Sequence, residues 1–358
     1  MKDVSVGLCR LPHSHIIIFR KFKYEENKME KKYDVIALGE LLIDFTENGT
    51  SGQGNPLFEA NPGGAPCNVL AMLEKLGHKT TFIGKVGADF FGEQLRDALL
   101  EVGINTDYLY MDKDVHTTLA LVHTMPGGDR DFSFYRKPGA DMMLSEEEVK
   151  EEAIINAKIF HFGTLSMTHD GVRNATKKAL NIAKENGIII SFDPNIREPL
   201  WDSMEIAREQ VLYGLGFCDI LKISDNEIQW LTGKEDFDEG ICWIKERYPD
   251  ITLILLSMGK DGSRAYYKDM KVEVPAFIQE KTIETTGAGD TFCGCMLHGI
   301  CEHGLDNLNS IQLKDMLTFA NAAASIITTR KGALRVMPSR EEVENRASLS
   351  EISSNSKH

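Results

Sequence analysis

From Tyr33 onward, short apolar runs rich in β-branched residues alternate with stretches of helical period, and this rhythm restricts the chain to very few architectures. The runs are YDVIALG, TTFIGKVG, AKIFHFG, IIISFD, DILKIS and ITLILLS; the helical stretches cover 66–76, 90–102, 169–186, 201–213 and 236–247. Several runs are apolar at nearly every position, so both faces of those strands must be covered. Strand and helix in alternation then give a three-layer α/β sandwich around a mainly parallel sheet. Gly77, Gly103 and Gly187 fall just past helical stretches, where a C-terminal glycine is expected. Two segments break the rhythm. Residues 41–62 and 115–135 hold LLIDFTENG, PLFEA, TTLALVHT and DFSFY, β-rich pieces with turn residues and no helix between them. They are expected to form a small separate β-sheet, placed to act as a lid or a dimer contact.

Forty basic against 54 acidic side chains leave a net charge of −14. Such a balance argues against nucleic acid or an anionic membrane as the main partner, and an anionic substrate would need a local positive site. Seven cysteines are scattered with no C-x-x-C spacing. Neither a zinc site nor a disulfide framework is suggested, and reduced thiols in the cytoplasm are the expectation. No apolar run approaches the roughly 20 residues needed to cross a bilayer. Residues 1–28 are basic and apolar but lack the long apolar core and small-residue cleavage site of a secretory signal. Met29 offers a second start directly ahead of the patterned sequence. Glu25 and Glu26 require purine-rich codons just upstream of it, as a ribosome-binding site read in frame would. Residues 1–28 are therefore expected to be an over-extended gene start, 29–340 the folded domain and 341–358 a polar, frayed tail.

The segment ETTGAGDTFCGC, 284–295, sets three small residues, Gly287, Ala288 and Gly289, against the carboxylate Asp290. If they form the first turn of the helix-like segment that follows, their unpaired N–H groups and the helix dipole make a site for developing negative charge. Asp290 beside that hole could take a proton from an attacking hydroxyl while the amides stabilise a transferring phosphoryl group. A helix start with glycine for close packing and Asp for the dipole would read the same way. The segment is not a dinucleotide fingerprint, because the third glycine position is Phe292, and the chain holds no G-x-x-x-x-G-K-[ST] loop.

Nearer the N-terminus, NPGGAPCNVLAMLEKLG places Gly63 and Gly64 where a backbone could approach a ligand. Asn68 in the first helical turn either caps locally or offers a donor and an acceptor to sugar hydroxyls. Asp44, after the apolar LLI, is either a turn residue or an acceptor for two hydroxyls. His161 in IFHFG reads as a satisfied core residue, and Cys293 and Cys295 as packing residues on different sides of a helix.

NPGGAPCNVLAMLEKLG and ETTGAGDTFCGC together resemble the two signature motifs of the PfkB, or ribokinase-like, family of sugar kinases, in order and in separation. The likeness runs from about Tyr33 to Pro338, and FYRKPGADMML (134–144) and SFDPNIREPLW (191–201) are similar to segments of bacterial and plant fructokinases. It implies a ribokinase-like fold with a β lid and ATP-dependent transfer to a sugar hydroxyl. Asp290 would be the base, and Gly287, Ala288 and Gly289 the anion hole. Asp44, Gly63, Gly64 and Asn68 match sugar-binding positions, and Arg136 and Arg197 stand where they could reach sugar oxygens or nucleotide phosphate, unless both are ordinary ion-pair residues.

On the nucleotide side the resemblance implies Ser257, Gly259, Gly262 and Asn321, with Asn195 and Lys222 near the phosphates and Glu227 positioning Mg²⁺. Two departures stand out. Glu284 replaces a common Asp in the loop that binds a monovalent cation in relatives, which leaves K⁺ activation open. Ser224 replaces a common Asn, and Ser224 with Glu227 also reads as a plain capping box. Fructose is the expected acceptor and 2-keto-3-deoxygluconate the nearest rival, because kinases for that acid also use arginines at positions like 136 and 197. A sugar-binding regulator without catalysis is the reading from another class.

Overall fold

The computed structural model describes residues 31–124 and 130–355, so the expected extension at 1–28 lies outside the described residues. The strands are β1 (Tyr33–Leu38), β2 (Leu42–Thr50), β3 (Pro56–Gly63), β4 (Thr80–Gly87), β5 (Asn105–Asp112), β6 (Leu119–Thr124) and β7 (Arg130–Tyr135). They continue as β8 (Ala157–Gly163), β9 (Ile189–Asp193), β10 (Ile220–Ser224), β11 (Leu253–Ser257), β12 (Ser263–Tyr267) and β13 (Met270–Val274). Nine of them form one sheet in the order β13-β12-β11-β10-β9-β8-β1-β4-β5. From β11 to β5 every neighbouring pair is parallel; β12 and β13 close one edge antiparallel.

Helices α1 (Ala65–Lys75), α2 (Phe90–Glu101), α8 (Ala288–His303), α9 (Ser310–Ile327) and α10 (Arg340–Asn355) contribute to one apolar layer. The other layer takes α3 (Glu151–Ile155), α4 (Asp170–Glu185), α5 (Met204–Leu215), α6 (Asp225–Thr232) and α7 (Phe237–Arg247). The two-residue period of the strands divides the core between them. Val35 and Ala37 face the first layer while Ile36 and Leu38 face the second, and on β11 Leu253 and Leu255 oppose Ile254 and Leu256 in the same way. Phe162 stacks on Phe192 with centroids 4.5 Å apart and on Phe160 at 6.1 Å, filling the second layer below β8 and β9.

The two segments that broke the rhythm pair into a second sheet of order β3-β2-β6-β7. In it β2 runs antiparallel to β3 and parallel to β6, and β7 is antiparallel to β6. The expected polar tail is helical as far as Asn355. That is a correction: Val343 is buried in the first layer and Arg330 pairs with Glu342, which holds α10 to the body.

One position departs from the apolar alternation. Leu221 and Ile223 point into the second layer, so Lys222 points with Ile220 toward α8, and there it is buried. A cation in that place needs a partner, which locates the chemistry at the C-terminal ends of the parallel strands.

Truncating the middle ring of the phenylalanine stack leaves a cavity that rigid strands on both sides cannot close. Phe162→Ala is expected to lower unfolding free energy by about 3–5 kcal/mol, measured by urea denaturation; a change under about 1 kcal/mol would show that the layer repacks.

Candidate active site

The site is made where α1 meets α8, and a glycine sets their spacing. A Cβ on Gly294 would fall 2.8 Å from Met72 Cβ and 3.0 Å from the Val69 carbonyl oxygen, so only glycine lets the two helices come this close. Their first turns are thereby joined: Asn68 Nδ2 donates to Asp290 Oδ2 at 2.8 Å. The other end of that amide, Asn68 Oδ1, is a buried acceptor with no partner among the described residues. Such an atom at a cavity wall is a place for a ligand hydroxyl to donate.

Gly287, at φ 76°, starts α8, and a Cβ there would fall 2.6 Å from the Ala333 Cβ. The N–H groups of Gly287 and Gly289 take no backbone acceptor among the described residues. Ala288 is different: its N–H donates to the Thr285 carbonyl at 3.2 Å, which leaves the two glycine amides as the available donors at the tip. Lys222 Nζ lies 3.2 Å from where a Gly289 Cβ would be, adding a charge beside the helix tip.

Lys222 and Asp193 form a buried ion pair at 2.9 Å. Burial disfavours the ammonium, but Asp193 and Glu227 more than offset it and hold Lys222 charged. Burial raises the pKa of Asp290 above the ordinary aspartate value, against the pull of the Asn68 hydrogen bond, Lys222 and Arg197. A carboxylate made more basic yet still steered toward ionisation suits a proton acceptor.

The other expected residues divide into those that meet this centre and those that do not. Asp44 Oδ2 lies so close over Gly63 that a Cβ there would be 2.2 Å away, and a Cβ on Gly64, at φ 130°, would meet the Glu40 carbonyl at 2.4 Å. Asn195 lines the same cavity as Asp290 in a left-handed backbone conformation, φ 43°. Arg197 is exposed at the rim, its Nη1 donating to the Ile196 carbonyl at 3.1 Å.

Glu227 ties the same loop from below. Its Oε1 accepts from the Ile196 N–H at 2.9 Å, and its Oε2 from the Ser224 N–H and hydroxyl in the capping box. Ser257 sits in register with Ser224 one strand over, followed by Gly259 and Gly262 at φ 52° and 96°. Asn321 accepts from the Ser263 hydroxyl and donates to the Val274 and Pro275 carbonyls, so it staples α9 to the antiparallel edge. Glu284 is buried, with Oε1 accepting from the Gly332 N–H at 2.7 Å.

Arg136 makes the ion pair that is the other reading of this residue. It is buried, with Nε and Nη2 on Asp141 Oδ2, Nη2 also on the Leu165 carbonyl and Nη1 on the Thr168 hydroxyl. That uses four of the five N–H groups of a guanidinium inside the protein. The side chain anchors the end of β7 to the main body.

Two acids escaped the sequence reading. Glu40 Oε1 accepts the Ala65 N–H at 2.8 Å, capping α1 from outside in place of the Gly64 side chain that does not exist. Burial pushes its pKa up to about 7. Asp193 ends β9 and holds Lys222. Both follow the C-terminal ends of parallel strands, and a charge placed there after an apolar run was the available signal. His161 is as expected: its Nδ1 is 3.0 Å from the Ser191 hydroxyl, and burial depresses its pKa to about 3, so it is neutral.

A hydroxyl-accepting buried amide, a basic carboxylate and free amides at a helix tip beside a lysine can together deprotonate an alcohol and receive charge on a transferred anion. Comparison with known proteins agrees. The family described as pfkB family carbohydrate kinase matches residues 32–340. The chain is 40% identical over 306 residues to the probable fructokinase-2 of Arabidopsis thaliana, covering 85% of this chain and 92% of that one. In three dimensions it resembles the ATP-bound fructokinase of Xylella fastidiosa, TM-score 0.80 at 29% identity, over 88% of this chain and 99% of the other. It also resembles a Vibrio cholerae O395 fructokinase variant holding fructose, ADP and potassium, TM-score 0.78 at 27% identity, over 89% and 100%.

Carbon-13 NMR titration is expected to place the Asp290 pKa above the 3.8 of an ordinary aspartate, and Asn68→Leu, which removes the donor, should raise it further. With the folded value raised, this group's contribution to stability is full below 3.8 and is lost as pH climbs through the folded value. Asp290→Asn should therefore be more stable than the native chain at neutral pH in urea unfolding. A native pKa at or below 3.8 contradicts this account.

Proposed function

The chain belongs to the pfkB family of carbohydrate kinases, and we propose that it moves the γ-phosphoryl group of ATP onto the 6-hydroxyl of fructose. The observation that carries the reading is the Asn68 amide, which holds Asp290 with its nitrogen and turns an unpartnered buried oxygen to the same space. A sugar supplies hydroxyls for both: one donates to Asn68 Oδ1, and another gives its proton to Asp290.

As that proton moves to the carboxylate, the sugar oxygen forms its bond to the γ-phosphorus and the bond to the ADP oxygen breaks. The Gly287 and Gly289 amides and Lys222 face the charge on the moving group. Asp44 and Gly63 border the sugar, and Ser257, Gly259, Gly262 and Asn195 border the nucleotide. Mg²⁺ neutralises charge on the nucleotide phosphates when bound. Both Glu227 oxygens already accept protein hydrogen bonds, so this acid fits the ion through water rather than by direct contact. Glu284, buried with Oε1 on the Gly332 N–H, marks the loop we assign to a K⁺ ion.

The second sheet would close over the sugar as a lid and exclude water, which otherwise competes for the phosphoryl group. Leu57 and Phe58 on β3 are exposed there, and this sheet is the element we assign to a homodimer contact. No helix among the described residues is long and apolar enough to cross a membrane, and the described cysteines are free, as in a cytoplasmic enzyme. The rival acceptor, 2-keto-3-deoxygluconate, requires cations for its carboxylate, and Arg136 is largely committed to Asp141, Thr168 and Leu165.

A purified-enzyme panel of fructose, ribose, adenosine and 2-keto-3-deoxygluconate with ATP should show the highest kcat/KM on fructose; turnover on the keto acid without turnover on fructose would reverse the assignment. Asp290→Asn is expected to lower kcat by roughly 100-fold or more with sugar affinity largely kept. Near-native turnover in that variant would remove Asp290 as the base.

A further inference from the structure

At the opposite end of the sheet from the site, two buried imidazoles meet with no part in phosphoryl transfer. His78, just past α1, and His298, on α8, approach with Nε2 and Nδ1 2.6 Å apart. Glu302 stands one turn beyond His298 on the same face of α8, exposed to solvent. One donor atom from each of the three lies within 4.8 Å of the others. We propose that His78 Nε2, His298 Nδ1 and a Glu302 carboxylate oxygen form a binding site for a divalent transition cation of the Zn²⁺ class.

The chemistry of the donors sets the class. Two imidazoles and one carboxylate suit Zn²⁺ or Co²⁺, whereas Mg²⁺ and Ca²⁺ prefer oxygen alone. The surroundings orient the first ligand. His78 Nδ1 faces Asp34 Oδ2 at 3.5 Å, and Asp34 is itself held by Lys158 at 2.6 Å. A carboxylate behind a histidine fixes the N–H on Nδ1 and leaves the Nε2 lone pair for a metal.

In the metal-free chain Arg340 Nη2 lies 3.2 Å from His298 Nε2, so the His298 proton resides on Nδ1, between the two rings. A bound cation replaces that proton on Nδ1; the proton passes to Nε2, and half-exposed Arg340 turns out to solvent. Nitrogen ligands at about 2.0–2.1 Å from a tetrahedral ion stand about 3.3 Å apart, so the rings need to part by less than 1 Å. Three protein ligands leave a fourth position for water, and exposed Glu302 gives the ion its way in.

The test is titration of the full chain with Co²⁺ alone, followed by its visible absorption and by competition with Zn²⁺. One Co²⁺ per chain with the intense bands of four-coordinate cobalt is expected. Glu302→Gln and His298→Gln should each weaken uptake by at least about 10-fold. Glu302 is exposed, so its variant keeps the test valid if the His298 change impairs folding. No cobalt uptake by the native chain, or uptake unchanged by Glu302→Gln, would overturn the proposal.

Discussion

The close approach of α1 and α8 across Gly294 is the constraint on which the rest of the site depends. With any side chain at that position the helices would separate, and the 2.8 Å contact between Asn68 and Asp290 would be lost with them. The flanking Cys293 and Cys295 are buried and serve the same packing, so a run of small residues that looks chemical is partly mechanical. The available glycine amides, the buried Asp290 carboxylate and the unpartnered amide oxygen are all consequences of two helix starts being held side by side.

Electrostatics give the same centre its direction. The chain is strongly acidic overall, and Asp290, Asp193, Glu40 and Glu227 crowd one end of the sheet. Lys222 is the buried counter-charge, aimed at the tip of α8 by the alternation of β10. Its pairing with Asp193 fixes the ammonium in place, so the cation is preorganised rather than recruited when an anion arrives. Removing either partner would leave a buried charge unpaired, which is far more costly than replacing both.

Much of the fold was legible because buried parallel strands write themselves as apolar runs. The elements that were not anticipated lack that signature for identifiable reasons. Strand β5 is an edge strand with all of its residues at least partly exposed, and NTDYLYMD carries no continuous apolar run. Strands β12 and β13 form a short hairpin turned by Lys268 at φ 52°, a conformation that sequence pattern does not announce. Helix α10 is held by Val343 and by the Arg346 contact to the Ile278 carbonyl, tertiary features invisible in a polar segment. Within the site, the two motifs hold Asn68 and Asp290, which the fold brings into contact, while Lys222 lies outside both. Arg136 could not be resolved from sequence, because its partner Asp141 is equally at home on a surface. Glu40 caps a helix that begins 25 positions later, a pairing no local window contains.

The bond between Asn68 and Asp290 spans 222 positions of chain. During synthesis, the side of α1 that meets α8 therefore stays uncovered until α8 has left the ribosome, although its sheet-facing side can already pack on β1 and β4. A partly made chain can assemble its second core early but still lacks Asp290 and the first turn of α8. The two halves of the Asn68–Asp290 pair can therefore meet only when most of the chain exists.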